Sequence, residues 1–209
     1  MISAILLAAG QSKRMKGENK LSKEIQDIPL INHSVKNILT CVHIEELIVV
    51  LGYQKKIVEK IISKFFISYF YNKKIKFIFN KDFESGMSSS IKVGINHLSK
   101  KTEAFFICLG DMPEINENIY NQLIAEYLVN HVDNLLCKNS KEIIVPKYKG
   151  QQGNPVLFNE SMREKIMSIA GDVGAKKILE LNKDKVLNLE INDQSVTKDF
   201  NTQDDFSSL

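Results

Sequence analysis

The chain has 209 residues, of which 44% are hydrophobic and 25% are charged, and its formal net charge is +3. These values are ordinary for a globular protein with one sizeable core, so we expect a single domain over residues 1–209. The positive charges are spread along the chain among nearly as many acids, which argues against a nucleic-acid-binding surface.

The sequence also lacks the signals of an exported or membrane protein. No window approaches the roughly 18 apolar residues of a membrane span, and the N-terminus has no basic segment followed by a cleavage site. The three cysteines and four histidines do not have the spacing of metal ligands. An odd number of cysteines favours a reducing compartment, so we expect a cytoplasmic protein without a membrane or nucleic-acid partner.

Strand-like and helix-like segments alternate along the first two-thirds of the chain. Apolar runs of strand length occupy residues 2–8, 47–51, 75–79, 104–109 and 142–145. Apolar residues at helical spacing predict helices over residues 30–39, 57–66, 88–98 and 119–128. Unbroken apolar strands that alternate with helices indicate a parallel sheet covered on both faces. We therefore predict an α/β fold of the three-layer α/β/α, Rossmann-like type, with a mostly parallel sheet.

The last third of the chain is less regular. Its predicted elements are a short strand at 155–158, helices at 160–169 and 175–181, a strand at 186–191 and one helical turn in the acidic tail. In open parallel sheets, ligands bind beyond the carboxyl ends of the strands. Gly10, Gly52 and Gly110 follow predicted strands, so we expect the chemistry on the loops that contain them.

The loop after the first strand has the composition of an anion-binding loop. Ala8, Ala9 and Gly10 carry little or no side chain, so their backbone N–H groups can approach an anion closely. Arg14 and Lys20 follow and supply positive charge suited to phosphate oxygens. The spacing is neither that of a P-loop nor that of the dinucleotide-binding fingerprint. By spacing alone, a glycine turn followed by a solvated basic loop explains the segment equally well.

A second candidate follows the strand at 104–109. Asp111 comes directly after Gly110, where a carboxylate is well placed to hold Mg²⁺. The alternative is an Asp that caps a turn before Pro113. Together with Arg14 and Lys20, however, Asp111 forms the set of groups that phosphoryl transfer needs, namely a carboxylate that binds a metal ion and cationic side chains that bind phosphate.

Three further stretches are weaker. Ser88 and Ser89 precede apolar residues at helical spacing and favour a helix cap, although they can also face a base or ribose. The stretches around Asn154 and Asp172 are more typical of turns than of an anion site. Asp199 offers a second metal oxygen, whereas Thr202 with the Asp three residues later has the pattern of a capping box.

These stretches, in this order, resemble the MobA-like nucleotidyltransferases, and among them most closely the molybdenum cofactor cytidylyltransferases, which join CTP to molybdopterin. The matching segments are LAAGQSKRM, NKL, GMSSSIKVGI, LGDMP, GNPVLF and GDVGAKKIL. They extend from residue 7 to about residue 179, and a tail match follows at 199–205. The Ala–Ala–Gly loop is similar to the cytidylyl branch, whereas the guanylyl branch typically has Ala–Gly–Gly.

The resemblance implies a fold of the nucleotide-diphospho-sugar transferase type and a role for each matching residue. It assigns Leu7, Ala8, Ala9, Gly10 and Gly110 to the nucleotide cradle, Arg14 and Lys20 to the phosphates, Ser88 and Ser89 to the base and ribose, Asp111 and Asp199 to Mg²⁺, and Asn154 and Asp172 to the second substrate. Arg14, Lys20 and Asp111 would be the catalytic set. The loop is one residue longer than the family pattern, which makes Lys23 an alternative to Lys20.

The implied reaction is the transfer of CMP from CTP to the terminal phosphate of molybdopterin, with pyrophosphate as the leaving group and a molybdenum hydroxylase as the receiving enzyme. Two alternatives stay open. The same fold can use GTP or a sugar or polyol phosphate, or the chain can be a non-catalytic carrier of the molybdenum cofactor. The combination of Arg14, Lys20 and Asp111 argues against a carrier, because a carrier needs neither triphosphate nor metal ligands.

Overall fold

The computed structural model describes residues 1–12, 19–71, 74–137, 141–168, 175–201 and 205–206. Its strands are β1 (Ile2–Ala8), β2 (Glu24–Ile25), β3 (Ile28–Pro29), β4 (Ile44–Leu51), β5 (Ile75–Phe79), β6 (Ala104–Leu109), β7 (Ile143–Tyr148), β8 (Gln151–Gln152), β9 (Val156–Asn159) and β10 (Val186–Glu190). Its helices are α1 (Leu30–Thr40), α2 (Lys55–Phe65), α3 (Ile67–Tyr71), α4 (Met87–Asn96), α5 (Glu117–Cys137), α6 (Arg163–Ser168) and α7 (Ala175–Leu181).

The main sheet is mixed but mostly parallel. Its strand order is β10-β7-β9-β6-β1-β4-β5, and β8 pairs with β7 outside this path. The pairs β6–β1, β1–β4, β4–β5 and β10–β7 are parallel, whereas β9 runs antiparallel to both of its neighbours. The predicted α/β fold with a mostly parallel sheet is therefore confirmed.

Helices cover both faces of the sheet, which explains why β1 is apolar at every position but one. Ala4, Leu6 and Ala8 point into one core cluster with residues of α1, α2 and α5. Ile5 points into the other cluster, with residues of α4, α6 and α7. Successive side chains of a strand lie on opposite faces, so a strand buried on both faces needs an apolar residue at every position.

Cys108 is a buried thiol in the first of these clusters. Its thiol lies 3.7 Å from the hydroxyl of Tyr120 on α5, which donates to the sulfur. Burial raises the pKa of the Cys108 thiol to about 12, because the apolar surroundings disfavour the thiolate.

Several elements depart from the sequence-based expectations. The helix expected at 119–128 begins at Glu117 and continues to Cys137. The hairpin of β2 and β3 was not anticipated, because its turn places Gln26 and Asp27 at positive φ without the glycine that usually marks such a turn. The predicted break at Gly171 and Gly174 lies outside the described residues. No helix of the described ranges is long and apolar enough to cross a membrane.

Candidate functional site

A cavity of about 550 Å³ opens at the carboxyl ends of β1 and β6. The described residues that line it are Leu7, Ala9, Gly10, Gln11, Ser12, Lys20, Leu21, Phe83, Glu84, Gly86, Met87, Ser90, Leu109, Asp111, Asp199 and Asn201. It lies where an open α/β sheet is expected to bind its ligand. We refer to it as the first cavity.

Lys20 is the centre of the polar contacts in the first cavity. Its Nζ makes an ion pair with Asp111 and donates a hydrogen bond to Asn201 Oδ1 at 2.9 Å. The side chains of Lys20 and Asp111 are only 16% and 17% exposed. A pair so sheltered is screened less by salt than a pair on the surface.

The backbone of Lys20 is held independently of its side chain. Lys20 begins a 3₁₀ turn that is capped by Asn19, whose Oδ1 accepts from the N–H of Leu21 at 3.0 Å. The Lys20 N–H donates to Ser12 Oγ at 3.1 Å, and Leu21 is buried in the core. The turn therefore fixes the position from which the Lys20 side chain reaches Asp111.

The segment 191–201 that follows β10, which we call the tail, supplies the other wall of the first cavity. Phe200 is fully buried, and its N–H donates to the main-chain carbonyl of Asp111 at 2.9 Å. The Asn201 N–H donates to Asp205 Oδ2 at 2.8 Å, and its side-chain amide donates to Asp199. These contacts hold Asn201 against Lys20.

The donor groups of the first cavity suit a hard divalent cation. Asp111 and Asp199 offer carboxylate oxygens, and Asn201 offers an amide oxygen. Mg²⁺ is commonly held by one or two carboxylates together with substrate phosphates rather than by an all-protein cage. In keeping with this, no cluster of three or more His, Cys, Asp or Glu that could hold a metal occurs among the described residues.

The start of α4 corrects one expectation. Ser88 and Ser89 were expected to cap this helix, but it begins at Met87, and Gly86 at the cap position has positive φ and no side chain to cap with. Ser89 instead lies within the first turn, where its Oγ is 2.8 Å from the carbonyl of Gly86. Of the serines at the start of α4, Ser90 lines the first cavity, and its hydroxyl accepts from Asn80 Nδ2 at 2.9 Å.

The sequence-based candidates divide into four groups. Those that line the first cavity are Leu7, Ala9, Gly10, Lys20, Asp111 and Asp199. Ala8 and Gly110 are buried beneath it, and a Cβ on Gly110 would lie 2.9 Å from Ile31 Cδ1 and 3.0 Å from the carbonyl oxygen of Leu7, so the packing here is close. Arg14 and Asp172 lie outside the described residues. Lys23, the alternative lysine, is not among the described residues that line the cavity.

The sequence analysis did not anticipate the contribution of Phe83 and Glu84 to the wall formed by residues 83–87. Both residues lie between β5 and Gly86, whereas the expectation for strand ends rested on Gly10, Gly52 and Gly110. The available signal was the position of these residues, since β5 is parallel to β4 and ends at the same edge.

A second cavity of about 610 Å³ adjoins the first. Its described lining is Met87, Ile107, Leu109, Lys147, Gly150, Gln151, Gln152, Gly153, Asn154, Val156, Lys176 and Leu179. Met87 and Leu109 line both cavities. Asn154 therefore belongs to a neighbouring site with two lysines, and not to the first cavity.

Comparison with known proteins shows which family the chain resembles. Residues 4–186 match the family described as "MobA-like NTP transferase domain". A probable molybdenum cofactor guanylyltransferase of Thermococcus sibiricus is 28% identical over 152 residues, which cover 73% of this chain and 65% of that relative. The chain thus spans slightly less than two-thirds of the length of that curated relative.

Two solved structures share the fold at low identity. A nucleotidyl transferase from Methanothermobacter thermautotroptrophicus superposes with a TM-score of 0.78 at 16% identity, covering 100% of this chain and 95% of the other. Rv0371C of Mycobacterium tuberculosis, solved as a complex with manganese, superposes with a TM-score of 0.74 at 19% identity, covering 99% and 96%.

Proposed function

Because the chain belongs to the MobA-like NTP transferase domain family, we propose that it transfers CMP from CTP to the terminal phosphate of molybdopterin and releases pyrophosphate. One observation carries the proposal. Lys20, Asp111, Asp199 and Asn201 converge in a cavity that adjoins a second cavity lined by two lysines. A transferase needs such a pair of adjacent sites, because its two substrates must meet at one phosphorus atom.

The first cavity supports the binding of the nucleotide. Backbone around Ala9 and Gly10 is open to an anion, since nothing lies within 4 Å of a Cβ placed on Gly10. Lys20 is the cation that would offset charge on the leaving pyrophosphate, and we propose the same role for Arg14. Asp111 and Asp199, with the oxygen of Asn201, would hold Mg²⁺. When bound, the ion neutralises phosphate charge and thereby assists the departure of pyrophosphate.

The second cavity supports the binding of the phosphate acceptor. Lys147 and Lys176 provide ammonium groups that can bind a phosphate. The side chains of Ile107, Val156 and Leu179 provide an apolar surface for a ring system. From this side, an oxygen of the acceptor phosphate would form a bond to the α-phosphorus of CTP. The bond from that phosphorus to the bridging oxygen of pyrophosphate would break in line. The protein's part is to position the reactants and to offset charge, as is general for phosphate transfer.

Position 9 supports the choice of CTP. The Cβ of Ala9 packs so close to Gly52 that a Cβ on Gly52 would lie 2.7 Å from it and from the Cβ of Phe83. Ala9 also lines the first cavity, and its methyl group is absent from the guanylyl branch, which typically has glycine at this position. A second candidate is GTP, because the Thermococcus sibiricus relative is named a probable guanylyltransferase. A molybdenum hydroxylase is the proposed recipient of the product.

Pyrophosphate release tests the proposal. The wild type is supplied with Mg²⁺, molybdopterin and either CTP or GTP, and the Asp111→Asn variant is compared with Asp184→Asn, a position that lines neither cavity. We expect turnover with CTP that falls by about 100-fold or more in Asp111→Asn and is unchanged in Asp184→Asn. Near-normal turnover by Asp111→Asn would contradict the assignment, and faster turnover with GTP would favour the second candidate.

A further inference from the structure

Among the described residues that line the first cavity, carboxylates outnumber cations, which the proposed reaction does not explain. Among its described lining residues, three are carboxylates, Glu84, Asp111 and Asp199, and one is a cation, Lys20. The Lys20 ammonium lines the cavity, but it is already paired with groups of the protein. It lies on Asp111 and on the oxygen of Asn201, whose amide group in turn donates to Asp199.

Lys20 therefore occupies two of the oxygens that the proposed function assigns to a divalent cation, Asp111 Oδ2 and Asn201 Oδ1. An ammonium on Asp111 Oδ2 uses part of the carboxylate's capacity to bind a metal, and two cations on one sheltered carboxylate repel each other. With Asp111 17% exposed, solvent relieves little of that repulsion. Lys20 and a metal ion are thus competitors for Asp111.

We propose that the Lys20 ammonium occupies the metal-binding position at Asp111 until nucleotide and metal bind together. The inference rests on the proposed function for the identity of the two ligands. In the free protein the ammonium satisfies Asp111. When the metal–nucleotide complex binds, the metal takes Asp111, and the ammonium turns to the phosphates.

The local structure allows this exchange without a backbone rearrangement. The 3₁₀ turn is fixed by the Asn19 cap, by the bond of the Lys20 N–H to Ser12 and by buried Leu21. The side chain of Lys20, by contrast, is held at its end by one ion pair and one hydrogen bond of 2.9 Å. Asn201 favours the exchange, because its neutral oxygen holds the ammonium less strongly than a second carboxylate would.

The proposal has a consequence for binding order. Metal alone must displace Lys20 without any anion to receive the ammonium, so it binds weakly. The nucleotide supplies that anion, so the two ligands bind cooperatively. By linkage, each strengthens the other by the same factor, which we place at roughly 5–150-fold.

Mn²⁺ binding, followed by the electron paramagnetic resonance signal of the free ion, tests this without any turnover. The full chain is titrated with Mn²⁺ alone and with Mn²⁺ plus α,β-methylene-CTP, as the wild type, Lys20→Met and Lys185→Met. Lys185 is the matched control, because it pairs with the partly sheltered carboxylate of Glu142 outside both cavities. We expect Lys20→Met to bind Mn²⁺ alone at least about tenfold more tightly than the wild type and Lys185→Met to match the wild type.

The opposite result would overturn the inference. If folded Lys20→Met, verified by its melting curve, binds Mn²⁺ alone no more tightly than the wild type, Lys20 does not compete with the metal. The Lys20→Gln variant decides in the same way should Lys20→Met fail to fold. A gain in Mn²⁺ affinity that also appears in Lys185→Met would equally overturn the inference, because any carboxylate freed from its lysine would then be enough to bind the metal more tightly. Failure of the proposed function looks different, because neither the CTP analogue nor its GTP counterpart would then bind the wild type.

Discussion

Gly153 lies where the tail crosses the chain just before β9, and its replacement by alanine should damage both stability and catalysis. The Gly153 N–H donates to the carbonyl of Pro146 at 2.8 Å, and the next N–H, of Asn154, donates to the carbonyl of Val196 at 2.8 Å. A Cβ on Gly153 would lie 2.0 Å from that Val196 oxygen and 2.6 Å from its carbonyl carbon. Both atoms are backbone, so no side chain can turn away to relieve the clash.

The size of the effect follows from these distances. An ordinary contact begins at 3.4 Å, so Val196 must move by about 1.4 Å, and its hydrogen bond to Asn154 is lost. Overpacking and the lost bond together cost about 2–4 kcal/mol of the free energy of unfolding, or about 5–15 °C in melting temperature. Val196 precedes Asn201 by five residues on the tail, so the displacement also moves Asn201 from Lys20. Misplacement by about 1 Å in a catalytic site lowers the rate by about 100-fold.

The assay compares Gly153→Ala with Gly94→Ala. A Cβ on Gly94 would lie 2.4 Å from Ile5 Cγ2 in the core cluster on the other side of the sheet, away from the tail. Thermal melting should show a loss of stability in both variants. Pyrophosphate release at 20 °C, where both remain folded, should fall only in Gly153→Ala. An unchanged melting temperature in Gly153→Ala, or an equal loss of turnover in both variants, would refute the reasoning.

Two other predictions concern single positions. Gly10→Ala should leave the melting temperature within a few degrees of the wild type, because nothing lies within 4 Å of the new Cβ and the φ of Gly10 is not positive; its KM for CTP should nevertheless rise, and an unchanged KM would show that the nucleotide does not approach this backbone. For Cys108, the pKa rises from its ordinary 9.0 to about 12 on folding, so its neutral thiol contributes stability that is complete below pH 9 and is lost as the pH rises towards 12. Urea unfolding between pH 8 and pH 11 should therefore show a shallower fall of stability in Cys108→Ala than in the wild type, and parallel curves would contradict this.

The central strands were predictable because burial on both faces leaves a mark in the sequence. The runs at 2–8, 75–79 and 104–109 became β1, β5 and β6 with unchanged bounds. The position of β9 was not predictable, since its four residues carry no sign that they run antiparallel between β6 and β7. Such a placement is decided by packing among distant segments, and local propensity does not record it.

The same distinction between local sequence signals and long-range packing applies to the candidate site. Gly10 and Asp111 follow apolar strands, so the rule that ligands bind at strand ends located them. The contact of Lys20 with Asn201 joins residues 181 positions apart, and nothing near either residue announces it. The sequence did not distinguish Ser90 from Ser88 and Ser89 as the serine that faces the cavity, because this depends on where α4 starts.

Lys20 and Asn201 are far apart in the sequence, so the complete site can form only after both have been synthesised. A chain emerges from its N-terminus, and domains fold as their residues become available. The partners β1 and β4, and then β6, can pair early, but the tail that carries Asp199 and Asn201 is made after all of these strands. A growing chain can therefore hold most of its sheet while Lys20 and Asp111 still lack the wall that encloses them, so a ribosome-bound chain should be folded in large part before it is competent to bind its ligands.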